Sequence, residues 1–344
     1  MPRDAAHFTS QELDIVLCQY DIGLIKQTET LNVGNSGAPK KVVTTDRGRF
    51  LLKRRARGKD DVYHVAYSHI IQTYLAKKGF PVAGIVPTRD QNNTGIYMDN
   101  HVYELFNFVE GSRYDGSVEA VTDGGRNLAL FHLKLSDFKH SWKPLHRTFH
   151  DSPSVRRHLK LVIGSHKSSR HDGEDMRNIA EDLLNRYNRS SVSVNEVGFD
   201  SWPEQIVHGD WHPGNMLFDS QRVVAVLDFD SVKTAPVITD LANGVLQFSI
   251  VAGRPKPTEW PSYLDKNKLI CFLAGYREIL THPDEMISSL FDQMIETMIA
   301  EAVLPIATTG FFGHHAGLDF LKMIRRKCKW IDENRNLLEE DITS

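Results

Sequence analysis

The stretch His208-Gly209-Asp210-Trp211-His212-Pro213-Gly214-Asn215 is followed by an apolar run, Val223-Val224-Ala225-Val226-Leu227, that ends at Asp228. An Asp, an Asn five residues on and a second Asp at a strand end are the parts that phosphoryl transfer uses. One carboxylate orients the acceptor hydroxyl and takes its proton late, because the transition state is loose; an Asn amide and a second carboxylate hold magnesium. Asp210 is therefore the candidate base, and Asn215 and Asp228 are the candidate metal ligands. Magnesium takes hard oxygen donors and fills its other positions with water and phosphate oxygens, so two protein oxygens suffice. Alone, Asp210 would read as a turn cap and Asp228 as half of a lysine salt bridge. Asp228 leaves a buried run, where an unpaired carboxylate is costly, so a metal partner is a sensible explanation. Asp230, two residues further, reads as structural or surface before it reads as a second-metal ligand.

Two further readings accompany this one. His208, Asp210 and His212 alternate, and on an extended segment they would share one face, as in part of a zinc or iron site. No further histidine cluster with ligand spacing supports that, and Pro213-Gly214 turns the chain at once. The segment Asn32-Val33-Gly34-Asn35-Ser36-Gly37 offers Gly34, Asn35 and Gly37 as a turn whose backbone N–H groups approach phosphates, although Gly-Asn-Ser-Gly is also an ordinary hairpin turn. No G-x-x-x-x-G-K-[ST] pattern occurs, which disfavours a P-loop fold. Lys53 ends the strand after that turn, where a lysine reaches the nucleotide phosphates in a kinase-like lobe. Arg54 and Arg55 lie beside it; Phe50-Leu51-Leu52 fixes the strand and favours Lys53, although alternation alone does not decide.

Outward from the motif, periodicity predicts a helix over 10–20 and strands at Leu24–Gln27, Lys41–Thr45 and Arg49–Lys53. A helix on the face of Val62, Val65, Ala66, His69, Ile70, Thr73, Tyr74 and Leu75 follows, closed by Lys77-Lys78-Gly79. Strands at Gly95–Met98 and Val102–Phe106 complete a small antiparallel lobe. Helices are expected over Val118–Asp137, Ala180–Tyr187, Lys268–Leu280, Glu285–Ala302 and Leu318–Leu338, with an exposed loop at 164–175. The class is α+β: a β-rich N-terminal lobe (1–106) and a helical C-terminal lobe (107–344) that carries a catalytic hairpin (208–230).

Composition sets outer limits. The 344 residues suit one large domain or two lobes, with 41% hydrophobic and 25% charged content. A formal net charge of −3 draws the chain to neither nucleic acid nor an anionic membrane, although Lys53–Lys59 is locally basic. Cys18, Cys271 and Cys328 form no C-x-x-C pair, so buried free thiols in a reducing compartment are expected. The start lacks an apolar signal segment and no window suits a bilayer, which points to the cytoplasm.

These residues together resemble the aminoglycoside phosphotransferase and choline kinase-like family, a branch of the bilobal protein-kinase-like fold. His208-Gly209-Asp210-x-x-x-x-Asn215, Val226-Leu227-Asp228-Phe229-Asp230 and Pro236-x-x-x-Asp240-Leu241-Ala242 carry the likeness. The 11–20 helix, Lys77–Val82 and Phe108-Val109-Glu110-Gly111 are similar to type II homoserine kinases and spore-coat kinase-like members. The resemblance implies ATP and Mg2+, a small-molecule hydroxyl as acceptor, adenine around Glu104, Leu105 and Phe106, and Asp240 as a structural anchor. One departure stands out: the helix after Lys53 normally supplies a Glu, and here it offers His64, Ser68 and His69, with no Glu from Lys59 to Gly79.

The expectation is thus an ATP- and Mg-dependent kinase of a small hydroxylated molecule, a monomer or homodimer without nucleic-acid or membrane partners. A catalytically silent kinase-fold binding protein and, further off, a metallohydrolase are the alternatives. Protein phosphorylation is weaker still, because no A-P-E pattern follows Asp228. The acceptor should lie against the C-terminal helices, where Trp202, Trp260, Phe311, Phe312, His314 and His315 are candidates.

Overall fold

The computed structural model describes residues 6–34, 37–142, 148–164 and 170–343. The chain runs α1 (Ser10–Leu17), β1 (Ile25–Thr30), β2 (Lys40–Thr45), β3 (Arg49–Arg54), α2 (Val62–Lys77), β4 (Ile96–Met98), β5 (His101–Asn107), α3 (Val118–Leu135), α4 (Pro153–Gly164), α5 (Arg170–Glu196) and β6 (Glu204–Val207). It continues with β7 (Met216–Asp219), β8 (Arg222–Val226), β9 (Lys233–Pro236), α6 (Val237–Ser249), α7 (Lys266–Arg277), α8 (Asp284–Ser288), α9 (Leu290–Thr309), β10 (Phe311–Phe312), β11 (His315–Ala316) and α10 (Gly317–Thr343). It folds into two compact units: Met1–Arg113 with Gly214–Val232, and Tyr114–Pro213 with Lys233–Ser344.

The first unit is built on an antiparallel sheet of order β1-β2-β3-β5-β4. Alternation assigns its faces. Val43, Phe50, Leu52, Tyr103 and Leu105 point to one side and pack with Val16, Leu17 and Tyr20 of the entry helix region. That helix starts in a capping box: Thr9 Oγ1 accepts from Glu12 N and Glu12 Oε2 from Thr9 N, both at 3.1 Å. Lys40, Lys53 and Glu104 lie on the opposite face as successive cross-strand partners. The hairpin β7–β8 belongs to this unit, since Ser112 bridges to Phe218 and Val82 to Val226. The sequence alone sets a boundary at residue 106 and places this hairpin with the helices; the contacts of the hairpin lie with the sheet unit.

In the second unit the helices α3 and α7 meet backbone to backbone. A Cβ on Gly125 would stand 2.0 Å from the Phe272 carbonyl oxygen, and one on Gly275 2.0 Å from that of Thr122. Two sequence expectations shift here. Residues 170–175 are helical rather than loop, because Ile179, Ala180, Leu183 and Tyr187 bury one face of α5 and the helix extends back from them. The helix expected over 285–302 is broken at Ser289 into α8 and α9. Of the cysteines, Cys328 is buried, Cys271 is half-buried and Cys18 is exposed, so the expectation of buried thiols holds for one. No helix among the described residues is long and apolar enough to cross a membrane.

Candidate active site

The motif residues divide between the units: Asp210 belongs to the helical unit, Asn215 and Asp228 to the sheet unit.

In the helical unit the chain leaves β6 at Val207 and is clamped at once. Asp240, on the first turns of α6, accepts from His208 N at 2.7 Å through Oδ2 and from Gly209 N at 2.8 Å through Oδ1. Burial alone would raise the Asp240 carboxyl. The hydrogen bond and charge of His132, with the Gly209 amide, hold it below its ordinary range instead. One turn later Asn243 Oδ1 accepts from Trp211 N at 2.8 Å. The Trp211 indole is fully buried and donates to the Gly124 carbonyl at 3.2 Å. The loop carrying Asp210 is therefore fixed by its own backbone amides, which leaves the Asp210 side chain 38% exposed.

Gly209 has φ +74°. That left-handed turn breaks the extended geometry that would set His208, Asp210 and His212 on one face. The His208 ring is fully buried, edge-on to Phe131 and Trp211. His212 Nε2 lies 3.7 Å from Asp210 Oδ2.

Around Asp210 stand two groups that the sequence did not single out. Glu301 of α9 accepts from Asn243 Nδ2 at 2.9 Å and from Gln247 Nε2 at 2.8 Å. Burial, and then the negative charge of Asp210, push its carboxyl up to about 7. Lys233, opposite Val207 in the β6–β9 pair, has its ammonium pushed down by burial, against the pull of Asp240, Glu301 and Asp210. Its Nζ lies 5.0 Å from the centre of the Phe149 ring. The aromatic acceptor candidates divide: Trp260, Phe312 and His315 gather on Phe320, whereas Trp202 packs on Phe199.

In the sheet unit the β7–β8 register pairs Met216 with Val226 and joins Leu227 N to the Asn215 carbonyl at 2.8 Å. Asn215 and Asp228 therefore leave the same end of one hairpin. Asp228 sits in the left-handed region (φ 58°, ψ 68°), which costs a non-glycine residue about 1–2 kcal/mol, and the chain then turns through Phe229–Ser231. Among the described residues no group of three His, Cys, Asp or Glu side chains is placed to hold a metal. One amide oxygen and one carboxylate at a hairpin end suit a magnesium that completes its shell with phosphate and water.

Facing that hairpin end, Lys53 Nζ lies 3.5 Å from Asp228 Oδ1 and 3.8 Å from Asp230 Oδ1. The neighbouring cations separate cleanly. Arg54 turns to the other face, where its Nη1 donates to Glu12 at 2.6 Å. Arg55, 2% exposed, donates through Nε and Nη2 to both oxygens of Glu104, at 2.8 Å each, and through Nη1 to Asp230 Oδ1 at 2.5 Å. His69 Nε2 meets Glu104 Oε1 at 2.6 Å. Burial alone would raise the fully buried Glu104; the His69 hydrogen bond and the charges of Arg55 and Lys53 keep it well below the usual carboxylate range. Its oxygens are thus taken up by Arg55 and His69. Phe106 is half-buried beside it and meets the His69 ring edge-on at 6.2 Å.

Gly34 has φ +73° and lies beside Lys40, whose Nζ donates to the Val33 carbonyl at 2.9 Å. Gly37 is exposed, and Asn35 lies outside the described residues. Lys40 is a second cation that the sequence reading passed over. Burial and the neighbouring Lys53 push its ammonium down. Its signal was available, since it opens the strand that pairs with Lys53.

The phosphotransferase enzyme family model matches residues 28–262. No curated protein sequence matches the chain significantly. Among solved structures, an aminoglycoside phosphotransferase from Alicyclobacillus acidocaldarius superimposes with a TM-score of 0.68 at 17% identity, covering 98% of this chain and 99% of its own. An amicoumacin kinase in complex with AMP-PNP, Ca2+ and Ami gives 0.68 at 14% identity, with 95% and 94% covered. A microcompartment-associated aminopropanol kinase gives 0.66 at 15%, with 94% and 96% covered. With its motifs inside the matched span and its fold shared along nearly the whole length, the chain belongs to the phosphotransferase enzyme family.

Proposed function

We propose that the protein is an ATP- and Mg2+-dependent kinase that phosphorylates a hydroxyl of a small molecule. The observation that carries this reading is the hairpin end, where Asn215 and Asp228 emerge together and Lys53 stands 3.5 Å from Asp228. A metal-ligand pair and a phosphate-seeking lysine in one place have little use outside a polyphosphate site. That arrangement weighs against the silent binding-protein reading, because Lys53 has acidic partners although α2 supplies no Glu. The solved complex of the amicoumacin kinase, with a nucleotide and a divalent cation, supports the choice of cofactors.

In the proposed reaction the acceptor oxygen attacks the γ-phosphorus while the bond to the β–γ bridging oxygen breaks and ADP leaves. The hydroxyl proton passes to an Asp210 carboxylate oxygen as the new P–O bond forms. Lys53 and Lys40 bind the nucleotide phosphates, with Gly34 beside Lys40. Phe106 contributes an apolar surface for adenine next to a Glu104 whose own oxygens are occupied. Asn215 and Asp228 would hold a magnesium ion, which would supply positive charge to offset that developing on the transferring phosphoryl group. Asp240 and Asn243 keep Asp210 in place by gripping the amides around it.

The test is an ADP-release screen over amino alcohols, sugars and aminoglycosides with ATP and Mg2+, run beside Asp210→Ala. Turnover with one acceptor class, lost in the variant, is the expected result. No turnover with any acceptor, together with no nucleotide-induced rise in melting temperature, would overturn the reading in favour of a silent fold.

A further inference from the structure

The segment after Asp228 is held by an arrangement that the phosphotransferase reading does not require. Asp230 follows Asp228 within one tight turn, and its side chain is 7% exposed. Arg55 Nη1 donates to its Oδ1, Lys53 lies 3.8 Å from the same oxygen, and Lys59 lies 3.8 Å from Oδ2. Its backbone carbonyl accepts from His64 Nε2 at 2.9 Å, and His64 belongs to α2, the helix that supplies no Glu. Behind Arg55, Glu104 takes two parallel hydrogen bonds and is itself held by His69. Arg55 thus ties a central strand of the sheet to the turn that follows Asp228.

We propose that Arg55 is a positioning residue for metal binding: it fixes the Asp228–Asp230 turn by bonding Asp230 and Glu104 at once. The inference rests on the kinase reading, and it gives Asp230 a definite role as the anchor of the turn, leaving Asp228 to the cation. The geometry requires arginine. Its planar group makes two bonds to Glu104 and a third to Asp230 at once, and a lysine cannot span both carboxylates with directed bonds. A left-handed Asp228 also needs its neighbours to hold it, since the local backbone preference favours release.

The test reads metal binding directly. Mn2+ is titrated into the protein saturated with ADP, free Mn2+ is followed by electron paramagnetic resonance, and metal-free ADP affinity is measured by calorimetry. Arg55→Lys is expected to weaken Mn2+ binding at least fivefold, to leave metal-free ADP affinity within about twofold and to keep a cooperative melt. Asp230→Asn, which breaks the same link from its other end, is expected to act alike, and the double variant is expected to be no weaker than the stronger single one. If Arg55→Lys fails to fold, Asp230→Asn carries the test alone. Mn2+ affinity within twofold of the parent in the folded variants overturns the proposal and leaves the kinase reading standing. A parent protein that binds neither ADP nor Mn2+ with ADP overturns both.

Discussion

The two halves of the motif are held by opposite means. In the helical unit Asp210 sits in a loop whose backbone amides are gripped by two side chains of α6, Asp240 and Asn243. In the sheet unit Asp228 follows a strand end, and the residues around it are held by side chains gripping side chains: Lys53, Arg55, Glu104 and Asp230. A backbone clamp depends on the two clamping residues and is indifferent to what the loop displays, so Asp210 stays accessible. A side-chain network depends on every member, because a buried charge that loses its partner is expensive. The first arrangement offers rigidity; on the proposed reading, the second ties metal, phosphate and fold to the same few charges.

Four experiments break or sharpen that contrast, beginning with the largest effect. Asp210→Ala should lower turnover by about 10²–10⁴-fold with an unchanged melting temperature, since the loop is held by its amides; a large fall in stability would show that the side chain also supports the fold. Asp240→Ala should cost about 2–4 kcal/mol in denaturant unfolding, because a buried and a half-buried amide lose a charged acceptor together. A loss below about 0.5 kcal/mol would remove the clamp from the account. For the other half, Lys53→Met should raise the Michaelis constant for ATP by about tenfold, roughly 1.4 kcal/mol, and Lys40→Met by less, as Lys53 is the one beside Asp228. Equal effects would place both cations on the phosphates alike.

A further expected effect, on stability alone, concerns Glu301. Its folded-state value, about 7, lies above its ordinary 4.5, so the folded protein binds more protons than the unfolded chain between those limits. Stability attributable to this group should fall as pH rises from about 4.5 to 7 and level off above. Glu301→Gln should flatten that slope and stabilise the protein by about 1–2 kcal/mol at pH 8, discounted for partial solvent access. Gln247 can turn its amide to meet the new group, whereas Asn243 is fixed by Trp211. An unchanged pH profile of melting would show that Glu301 is ionised in the fold.

Most of the fold was legible in the sequence, because strand alternation and helical spacing are local. Asp210, Asn215 and Asp228 stand out as candidates because phosphoryl transfer asks for that spacing, and Lys53 because it ends a strand. The pairing of Arg55 with Glu104 was not legible, since it spans forty-nine positions and follows from the β3–β5 register. Arg55 looked like a bystander in a basic run until alternation sent Arg54 to Glu12. Glu301 escaped notice because nothing in a helical stretch shows which carboxyl will meet two amides of another helix. The polar opening of α5 hid its helix, since propensity is a weak guide where a stretch holds almost no apolar residues.

The seam between α3 and α7 has a consequence for how this family member can diversify. Gly125 and Gly275 bring two backbones into touch, and neither helix can roll without prising the other away. The same α3 supplies the carbonyl beneath Trp211 and the imidazole beside Asp240. The loop that carries Asp210 therefore rests on a plinth with no slack in it. Changes of acceptor preference that leave the chemistry intact should be written in side chains away from that seam, and a methyl group added to either glycine should unsettle turnover with every acceptor at once.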